Sequence, residues 1–335
     1  MNRTPEEFVR VPHEELRAFV STAARDVGVP AEQAALLADL LTDNDLRGVF
    51  SHGTRQLATY SGAGYARMLR DGELNADPAV EVVRETPVSV LVDGDGGLGY
   101  FPAREGTERA IEKARERGMA AMATRNHGHF GAAGSYAREA VARDLLAFVT
   151  SGHQLELTPG DPIYDAGGGS PMAFCAPTGE EPPVVLDFGT MHDLYATSPH
   201  RETIADLTPG LVLRHVGLGA ICQSWGGLLA GLGIEERRDY QDYAGANQGS
   251  LALFFRPDLF GDPDRFEAEM DQYVRQVAEL EPLEGFERAL LPGGPEAARE
   301  RENRERGVPV GPEHRSELEA LADDLGIDAP WADGR

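Results

Sequence analysis

The sequence predicts an α/β protein whose centre alternates strands with helices and whose two ends are helical. Short apolar runs recur between residues 88 and 188, separated by amphipathic stretches and glycine turns. The chain ends instead read as amphipathic or charged helices. We expect a helical segment at 1–75, a central cofactor-binding α/β domain at 76–232, and a strand with helices at 233–335 that pack with the first segment.

The N-terminal region is predicted to be helical. Two amphipathic helices are expected between Pro12 and Asp45, the second starting after Pro30 with leucines at helical spacing. A third is expected from Thr54 to Arg70, because Gly72 follows it and arginines near its end suit the helix dipole.

The central and C-terminal elements follow in order. Helices are expected at 103–117 and 132–143, and the first of these is predicted to end at Gly118. A long acidic helix at about 263–281 and two charged helices complete the chain. The predicted strands are apolar runs at 88–93, 119–124, 145–150, 182–188 and 250–255.

Composition excludes several classes of partner. A net charge of -25 opposes binding to nucleic acid and to anionic membrane surfaces. The start MNRTPEEFVR lacks the apolar core of a signal peptide, and the apolar stretch 217–233 is interrupted by polar residues and glycines. Cys175 and Cys222 are isolated, as expected of thiols in a reducing compartment. We expect a cytoplasmic protein that acts on a small molecule.

The stretch VDGDGGLGYF contains Gly94, Gly96 and Gly99 in the spacing of a dinucleotide-binding fingerprint, between a predicted strand and a predicted helix. The next strand, however, ends in Thr124-Arg125-Asn126, where an acidic residue should hold the ribose. Arg125 would instead have to face a 2′-phosphate. We therefore favour a structural glycine turn over a pyrophosphate loop.

Ser51, His52 and Gly53 precede the third predicted helix. A hydroxyl beside an imidazole at a helix N-terminus is suited to binding an oxyanion or passing a proton. The alternative is that Ser51 caps the helix and His52 is a buried, hydrogen-bonded histidine.

His127 and His129 follow the second strand and open into a glycine-rich turn, and Asp187 ends a later strand. Such strand ends commonly carry sites in α/β proteins. Either His52 or His129 acts as a general acid/base while an arginine holds an anionic substrate, or His52, His127, His129 and Asp187 bind a metal. We favour the first and predict no metal, because the spacing matches no zinc signature. Purely structural roles for the histidine pair and for Asp187, as an N-cap, also remain open.

Several motifs, taken together, resemble one family. They are DLRGVFSHGTRQLATY, LNADPAVEVV, LVDGDGGLGY, AIEKARERGMAAMATRNHGHFGAAGSYAREA and VVLDF. Their order and spacing are similar to those of the malate/L-lactate dehydrogenase family, which includes ureidoglycolate and sulfolactate dehydrogenases and diketogulonate and piperideine-carboxylate reductases. The likeness is close over residues 35–190 and looser beyond.

The resemblance implies a fold and an activity. Members bind NAD or NADP on an α/β domain that is not a Rossmann fold, and the glycines of 94–99 are then a structural turn. They interconvert 2-hydroxy acids and 2-oxo acids, or cyclic imines and amines, and are typically homodimers. The resemblance thus implies an NAD(P)-dependent oxidoreductase with a small-molecule substrate.

The family's functional residues are carried over by position. Ser51, His52 and His129 match catalytic residues, and Arg55, Gln56, Gly169 and Ser170 match or adjoin substrate-binding positions. Cofactor-binding positions correspond to His129, Phe130, Gly131, Ala132, Ala133, His153, Asp187, Phe188, Gly189, Gly217, Gly293 and Gly294.

The chain also departs from the family pattern. Gln56 stands where an arginine usually holds the substrate carboxylate, Val216 replaces a cofactor-side lysine, and the segment 190–216 is shorter than usual. Two hypotheses follow: an NAD(P)-dependent oxidoreductase with a bulkier or less anionic substrate, or a non-redox lyase, isomerase or cyclase that kept His52 and His129 and lost the cofactor. An arginine such as Arg201 or Arg214 in place of the lost cation would favour the first.

Overall fold

The computed structural model describes residues 4–59, 64–234 and 237–331. Its helices are α1 (His13–Asp26), α2 (Ala31–Leu46), α3 (Tyr65–Arg70), α4 (Tyr100–Arg117), α5 (Ala133–Val141), α6 (Arg201–Leu207), α7 (Pro209–Cys222), α8 (Pro263–Ala278), α9 (Gly294–Arg306) and α10 (Pro312–Leu325). Its strands are β1 (Val9–Val11), β2 (Glu81–Thr86), β3 (Ser89–Asp93), β4 (Met119–His127), β5 (Leu146–His153), β6 (Pro171–Ala176), β7 (Val184–Gly189), β8 (Gln248–Phe255) and β9 (Val308–Val310).

These elements form two compact units. The end unit combines Met1–Pro78 with Leu290–Arg335, and the sheet unit is Ala79–Ala289. The expected divisions were at 75/76 and 232/233. The second division differs most, because β8 pairs with both β4 and β5 inside the sheet and therefore carries residues 233–289 into that unit.

The end unit is helical around a small sheet, in which β1 and β9 pair antiparallel with Val9 opposite Val310. Its interior is aliphatic, because the helices place leucines and alanines on one face. The fully buried side chains include Leu16, Leu37, Leu41, Leu46, Leu57 and Tyr65.

The helix expected from Thr54 to Arg70 is not continuous. A 3₁₀ turn spans Thr54–Leu57, and α3 begins only at Tyr65; residues 60–63 lie outside the described part of the chain. Gly64 has a φ of 77°, and a Cβ there would lie 2.3 Å from the carbonyl oxygen of Ala58. This close backbone approach breaks the helix, which the local sequence pattern does not reveal.

The sheet unit has seven strands in the order β2-β3-β4-β8-β5-β6-β7. The β3–β4 pair is parallel and the other five pairs are antiparallel. A Rossmann domain has a mostly parallel sheet. The prediction of an α/β, non-Rossmann fold is therefore confirmed.

Helix α4 shows why these residues form these elements. Ala103, Thr107, Ala110, Ile111 and Ala114 recur at helical spacing, and all are buried against the sheet, as predicted. Gly118 ends the helix with a φ of 94°. Strands β1, β2, β6 and β9 and helices α6 and α7 were not predicted. Over the described ranges, no helix has both the length and the apolar character needed to cross a membrane.

Candidate functional site

The glycine turn at 94–99 is filled by the protein itself. The amides of Gly94, Gly96 and Gly99 donate to the carbonyls of Arg125, Asn126 and His129 at 2.9, 2.9 and 3.0 Å. A Cβ at Gly99 would lie 2.5 Å from His127 Nδ1, and one at Gly94 would lie 2.8 Å from His127 Cβ. Donors already paired to backbone cannot bind a pyrophosphate, so the turn is structural, as the resemblance implies.

His127 is a core residue. Its Nδ1 lies 2.7 Å from the carbonyl oxygen of Gly128, which only accepts, so Nδ1 carries the proton. Nε2 then accepts from the Thr124 hydroxyl at 2.6 Å, and that oxygen accepts from Ser250 at 2.6 Å. Burial lowers the pKa of His127 to about 4, which keeps the ring neutral. Both ring nitrogens therefore make hydrogen bonds within the sheet unit.

Arg125 is also engaged within the sheet unit. Its Nε donates to Asp93 at 2.8 Å, and its guanidinium lies 4.2 Å from the ring centroid of Tyr240. The asparagine that follows donates to the same carboxylate at 2.8 Å. These contacts account for the arginine at a strand end where a ribose-binding acid would otherwise stand.

His129, two residues beyond His127, is only partly buried. Its ring meets Tyr100 edge to face, with centroids 6.4 Å apart. Phe130 and the two alanines after it are buried, and the Phe130 ring stacks on Tyr136. Gly131 has a φ of 84°, and a Cβ there would lie 2.4 Å from Tyr100. The turn therefore directs its histidines into different surroundings, a buried core for one and a half-open position for the other.

Asp187 lies near the end of β7 and accepts a hydrogen bond from the amide of Gly134 at 2.9 Å. Gly134 is in the first turn of α5, whose dipole favours a carboxylate. Asp187 therefore contacts the start of α5 across 53 residues of chain, whereas the N-cap suggested by the sequence would bind the residues that directly follow it.

His153 ends β5 and is tied to residues distant in sequence. Its backbone amide donates to Gln223 Oε1 at 2.9 Å, and Gln223 Nε2 donates back to the carbonyl of His153 at 2.9 Å. The Ser170 hydroxyl donates to the same Oε1 at 2.8 Å, and the Ser170 carbonyl accepts from the amide and hydroxyl of Thr190. Burial lowers the pKa of His153.

These contacts gather four predicted segments at one end of the sheet. The strand register places the ends of β4, β5 and β7 there together with the start of β6. We call this set the rim: residues 129–134, His153, Ser170 and Asp187–Gly189. The sequence placed these segments individually, and the antiparallel pairing brings them to the same edge.

Two glycines of the predicted cofactor segments are open. A Cβ at Gly189 would meet no atom closer than 3.6 Å, and one at Gly217 would meet none within 4 Å. Gly169, by contrast, has a φ of 69° and would meet the hydroxyl of Tyr195 at 2.7 Å. Gly189 and Gly217 therefore have space for an added methyl group, whereas Gly94, Gly96 and Gly99 in the 94–99 turn do not.

Position 216, where the resemblance places a cation, is a valine, and the two arginines suggested as its replacement have other surroundings. Val216 is buried within α7, packing with Met191 and Leu194. The Arg201 guanidinium lies 3.8 Å from the ring centroid of Tyr164, and Arg214 is exposed on α7.

In the end unit, Ser51 Oγ lies 3.0 Å from His52 Nδ1. Ser51 is exposed and His52 is half-buried, in a 3₁₀ turn at Phe50–His52. Burial lowers the pKa of His52 to about 4, so the imidazole is neutral at physiological pH. The pair is thus a hydroxyl beside a neutral base, a combination suited to proton transfer.

The two residues near the family's arginine position are both engaged. Arg55 donates to Glu317 at 2.7 Å and pairs with Glu313 at 3.2 Å, and these carboxylates raise its pKa against the effect of burial. Gln56 Nε2 donates to the carbonyl of Ser51 at 2.5 Å. The Arg55 charge is balanced by carboxylates of its own unit, which compete with any substrate carboxylate.

Gly293 and Gly294 lie at the start of α9. The amide of Gly293 donates to the side chain of Glu296 at 3.1 Å, forming part of a capping box. The Glu296 carboxylate thus caps the start of α9, and Gly293 has a structural role there.

Within the ranges described, no three histidine, cysteine, aspartate or glutamate side chains are grouped so as to hold a metal ion. The four residues considered for a metal include His127, whose ring nitrogens are both hydrogen-bonded within the sheet unit.

Sequence reasoning missed Gln223. It is buried at the start of a π-helical turn, Gln223–Leu228, and links β5 to Ser170. The available signal was a glutamine in an otherwise apolar, glycine-rich stretch, since buried amides need partners and π-turns often mark functional regions.

A sequence profile described as malate/L-lactate dehydrogenase matches residues 11–192 and 210–319. The malate dehydrogenase of Pyrococcus abyssi is 35% identical over 185 residues, which are 55% of this chain and 49% of that protein, so this match spans about half of that relative. The L-sulfolactate dehydrogenase of Methanocaldococcus jannaschii is 26% identical, covering 93% of this chain and 96% of that one. The ureidoglycolate dehydrogenase of Escherichia coli K12 is 24% identical, with 90% and 93% covered.

Solved structures of named family relatives have the same fold. The malate dehydrogenase of Pyrococcus horikoshii superposes with a TM-score of 0.82 at 25% identity, covering 98% of this chain and 99% of that one. The piperideine-carboxylate reductase of Pseudomonas syringae shares the fold, with a TM-score of 0.71 at 21% identity and 95% and 99% covered. Between its two matched ranges the profile omits 193–209, which lies within the segment 190–216 that is expected to be shorter than usual for the family. The chain therefore belongs to the malate/L-lactate dehydrogenase family and is an oxidoreductase.

Proposed function

We propose that the protein is an NAD(P)-dependent dehydrogenase or reductase that interconverts a 2-hydroxy acid and a 2-oxo acid, or a cyclic imine and an amine. Relatives named as malate, sulfolactate and ureidoglycolate dehydrogenases support the hydroxy-acid reaction. A structural neighbour named as a piperideine-carboxylate reductase supports the imine reaction. Nothing in these comparisons supports the non-redox alternative.

The observation that carries this proposal is the rim. Four segments that match cofactor- or substrate-binding positions lie at one end of the sheet. Gln223 and Thr190 join His153, Ser170 and the end of β7, and Asp187 joins the end of β7 to Gly134. His153, the open backbone at Gly189 and the 129–133 turn would hold the cofactor. Its nicotinamide ring supplies hydride transfer, which no side chain of the chain can perform.

Ser51, His52 and His129 are proposed to move the proton. A neutral His52 beside the Ser51 hydroxyl accepts a proton when an alcohol is oxidised and returns it when the carbonyl is reduced. His129 is half-buried and is proposed as a second proton-transferring group. Asp187 orders the start of α5 beside it, through the amide of Gly134.

We propose that the substrate is bulkier or less anionic than is usual for the family. The support is local: Arg55 is paired with two glutamates, and Gln56 is bound to the Ser51 carbonyl. Comparing turnover of oxaloacetate, pyruvate and a cyclic imine carboxylate tests this, since a clear preference for the dicarboxylate oxaloacetate would contradict it.

The protein is further proposed to be a cytoplasmic homodimer. The two cysteines are buried free thiols, as in a reducing compartment. Exposed apolar side chains line α7 and the turn after it, among them Leu218, Ile221, Trp225 and Leu229, and such a patch typically marks an interface. Analytical ultracentrifugation tests the dimer, and a monomer at micromolar concentration would refute it.

The central experiment is a fluorescence titration of the purified protein with NADH and NADPH. We expect saturable binding of one nucleotide, weakened about tenfold by His153→Ala and unchanged by His13→Ala, a matched histidine in the end unit. Oxidation of the bound nucleotide on adding a 2-oxo acid or cyclic imine would complete the assignment. Folded protein that binds neither nucleotide would refute the redox proposal.

A further inference from the structure

A buried chain of hydrogen bonds holds Thr54, two residues after the Ser51–His52 pair. Asp45, Thr54 and His314 come from α2, the following turn and α10, and all three are buried. The Thr54 hydroxyl lies 2.6 Å from Asp45 Oδ2 and 3.0 Å from His314 Nε2. The amide of Thr54 donates to the same Asp45 oxygen at 2.9 Å. One threonine is thus held through both its main chain and its side chain.

The chain of contacts also fixes the residue between His52 and Thr54. Gly53 is extended, and a Cβ there would lie 1.7 Å from Asp45 Oδ1, so the backbone rests on the carboxylate. On the other side, Asn44 Nδ2 donates to the carbonyl of His52 at 3.0 Å. Asn44 and Asp45, at the end of α2, therefore accept from or donate to the backbone on both sides of Gly53.

A buried carboxylate is a costly way to fill a core, because desolvation disfavours its charge. Here burial raises the pKa of Asp45 to about 7 even though the Thr54 hydrogen bonds lower it. Either protonation state completes the chain. The ionised carboxylate accepts from the Thr54 hydroxyl while His314 donates to it, and the neutral acid donates to Thr54, which then donates to His314.

We propose that Asp45, Thr54 and His314 are positioning residues that hold the Ser51–His52 pair in its reactive geometry. This inference rests on the proposed role of that pair in proton transfer. None of the three is proposed to touch substrate. Their effect passes through the backbone at 52–54, where directional hydrogen bonds restrict the turn more narrowly than apolar packing would.

The variant that tests this is Thr54→Val, which removes the hydroxyl and keeps the shape. Thr54→Ser restores the hydroxyl. Thr42→Val is the matched control, since Thr42 is buried on the same helix as Asp45 and its hydroxyl has no hydrogen-bond partner. With pyruvate and NADH as probes, we expect Thr54→Val to lower kcat about tenfold with little change in KM or in NADH affinity. Thr54→Ser should recover most of kcat, and Thr42→Val should match the wild type.

A second readout does not depend on activity. In ¹⁵N-histidine NMR, with the His52 signal assigned from His52→Gln, the pKa of His52 should rise from about 4 toward 6.5 in Thr54→Val, because a loosened turn exposes the ring. An unchanged His52 pKa in folded Thr54→Val would overturn the inference, and so would an unchanged kcat in an active enzyme.

The two proposals fail differently. A wild-type protein that neither binds nucleotide nor reduces a probe refutes the proposed function, and the NMR titration still decides the positioning role. If Thr54→Val does not fold, His314→Leu replaces it, because it removes the far partner of the hydroxyl while leaving residues 51–54 intact. The same shift of the His52 pKa is expected there, and its absence overturns the inference.

Discussion

Two glycine-bearing parts of the sheet unit have opposite surroundings. In the turn at 94–99, backbone amides pair with the strand opposite, and side-chain atoms of His127 occupy the space that a Cβ would need. At the rim, Gly189 has no neighbour within 3.5 Å of the corresponding position. The turn with the spacing of a nucleotide-binding motif is closed at these positions. The rim has no such motif and is mixed, because Tyr100 crowds Gly131 whereas Gly189 has space for a methyl group.

The same contrast separates two histidines in one turn. His127 is fully buried with both nitrogens paired, whereas His129 is half-buried beside Tyr100. A glycine or a histidine in a motif therefore indicates a binding site only when the surrounding chain leaves space beside it.

The largest effect is expected from filling the closed turn. Gly99→Ala places a methyl group 2.5 Å from His127 Nδ1 and 2.7 Å from the carbonyl oxygen of Gly128, so the protein should lose about 3 kcal/mol of unfolding free energy. Gly210→Ala is the control, because no atom lies within 4 Å of its Cβ position. Urea unfolding measures both. Equal unfolding free energies of the two variants would show that the 94–99 turn accommodates a methyl group.

The next largest effects are expected from substitution of His52, His129 and His127. His52→Ala and His129→Ala should each lower turnover by about a hundredfold while leaving the protein folded. His127→Gln should instead reduce thermal stability, because it disturbs the network with Thr124 and Ser250. Steady-state kinetics and circular dichroism on the three variants test this. Wild-type rates in both alanine variants would refute the acid/base assignment.

A smaller effect is expected from pH. The folded-state pKa of His127 is lowered to about 4 from an unfolded value of 6.5, so the unfolded chain binds the extra proton first as the pH falls. Stability from this residue is complete above about pH 6.5 and decreases toward pH 4, by about 2 kcal/mol between pH 7 and pH 5.

Urea midpoints measured across that interval in the wild type and in His127→Gln isolate the contribution. The wild type should show the steeper loss of stability on acidification. Parallel curves would mean that the ring is not held neutral in the core.

The smallest effect concerns the open rim. Gly189→Ala should weaken NADH binding by about tenfold and leave the unfolding free energy within about 0.5 kcal/mol, since the added methyl meets ligand rather than protein. Gly210→Ala should change neither quantity appreciably in this assay. A loss of stability in Gly189→Ala with unchanged affinity would place the ligand elsewhere.

Much of the architecture was determined by local sequence. The spacing of Ala103, Thr107, Ala110, Ile111 and Ala114 predicted the buried face of α4, and the apolar runs predicted five of the strands. The order and spacing of the motifs indicated the family. Periodicity succeeds here because it reports which face of an element is buried, a property that a segment carries in its own residues.

The partners of those faces were decided by the tertiary structure. Only folding places β8 between β4 and β5, pairs Arg55 with Glu317 from 262 residues away, and joins Thr54 to His314 across 260. His127 and His129 look alike in sequence and differ only in what surrounds them. Hydrogen-bond partners and burial arise from contacts between distant segments, and a local pattern contains no information about which distant segment will supply them.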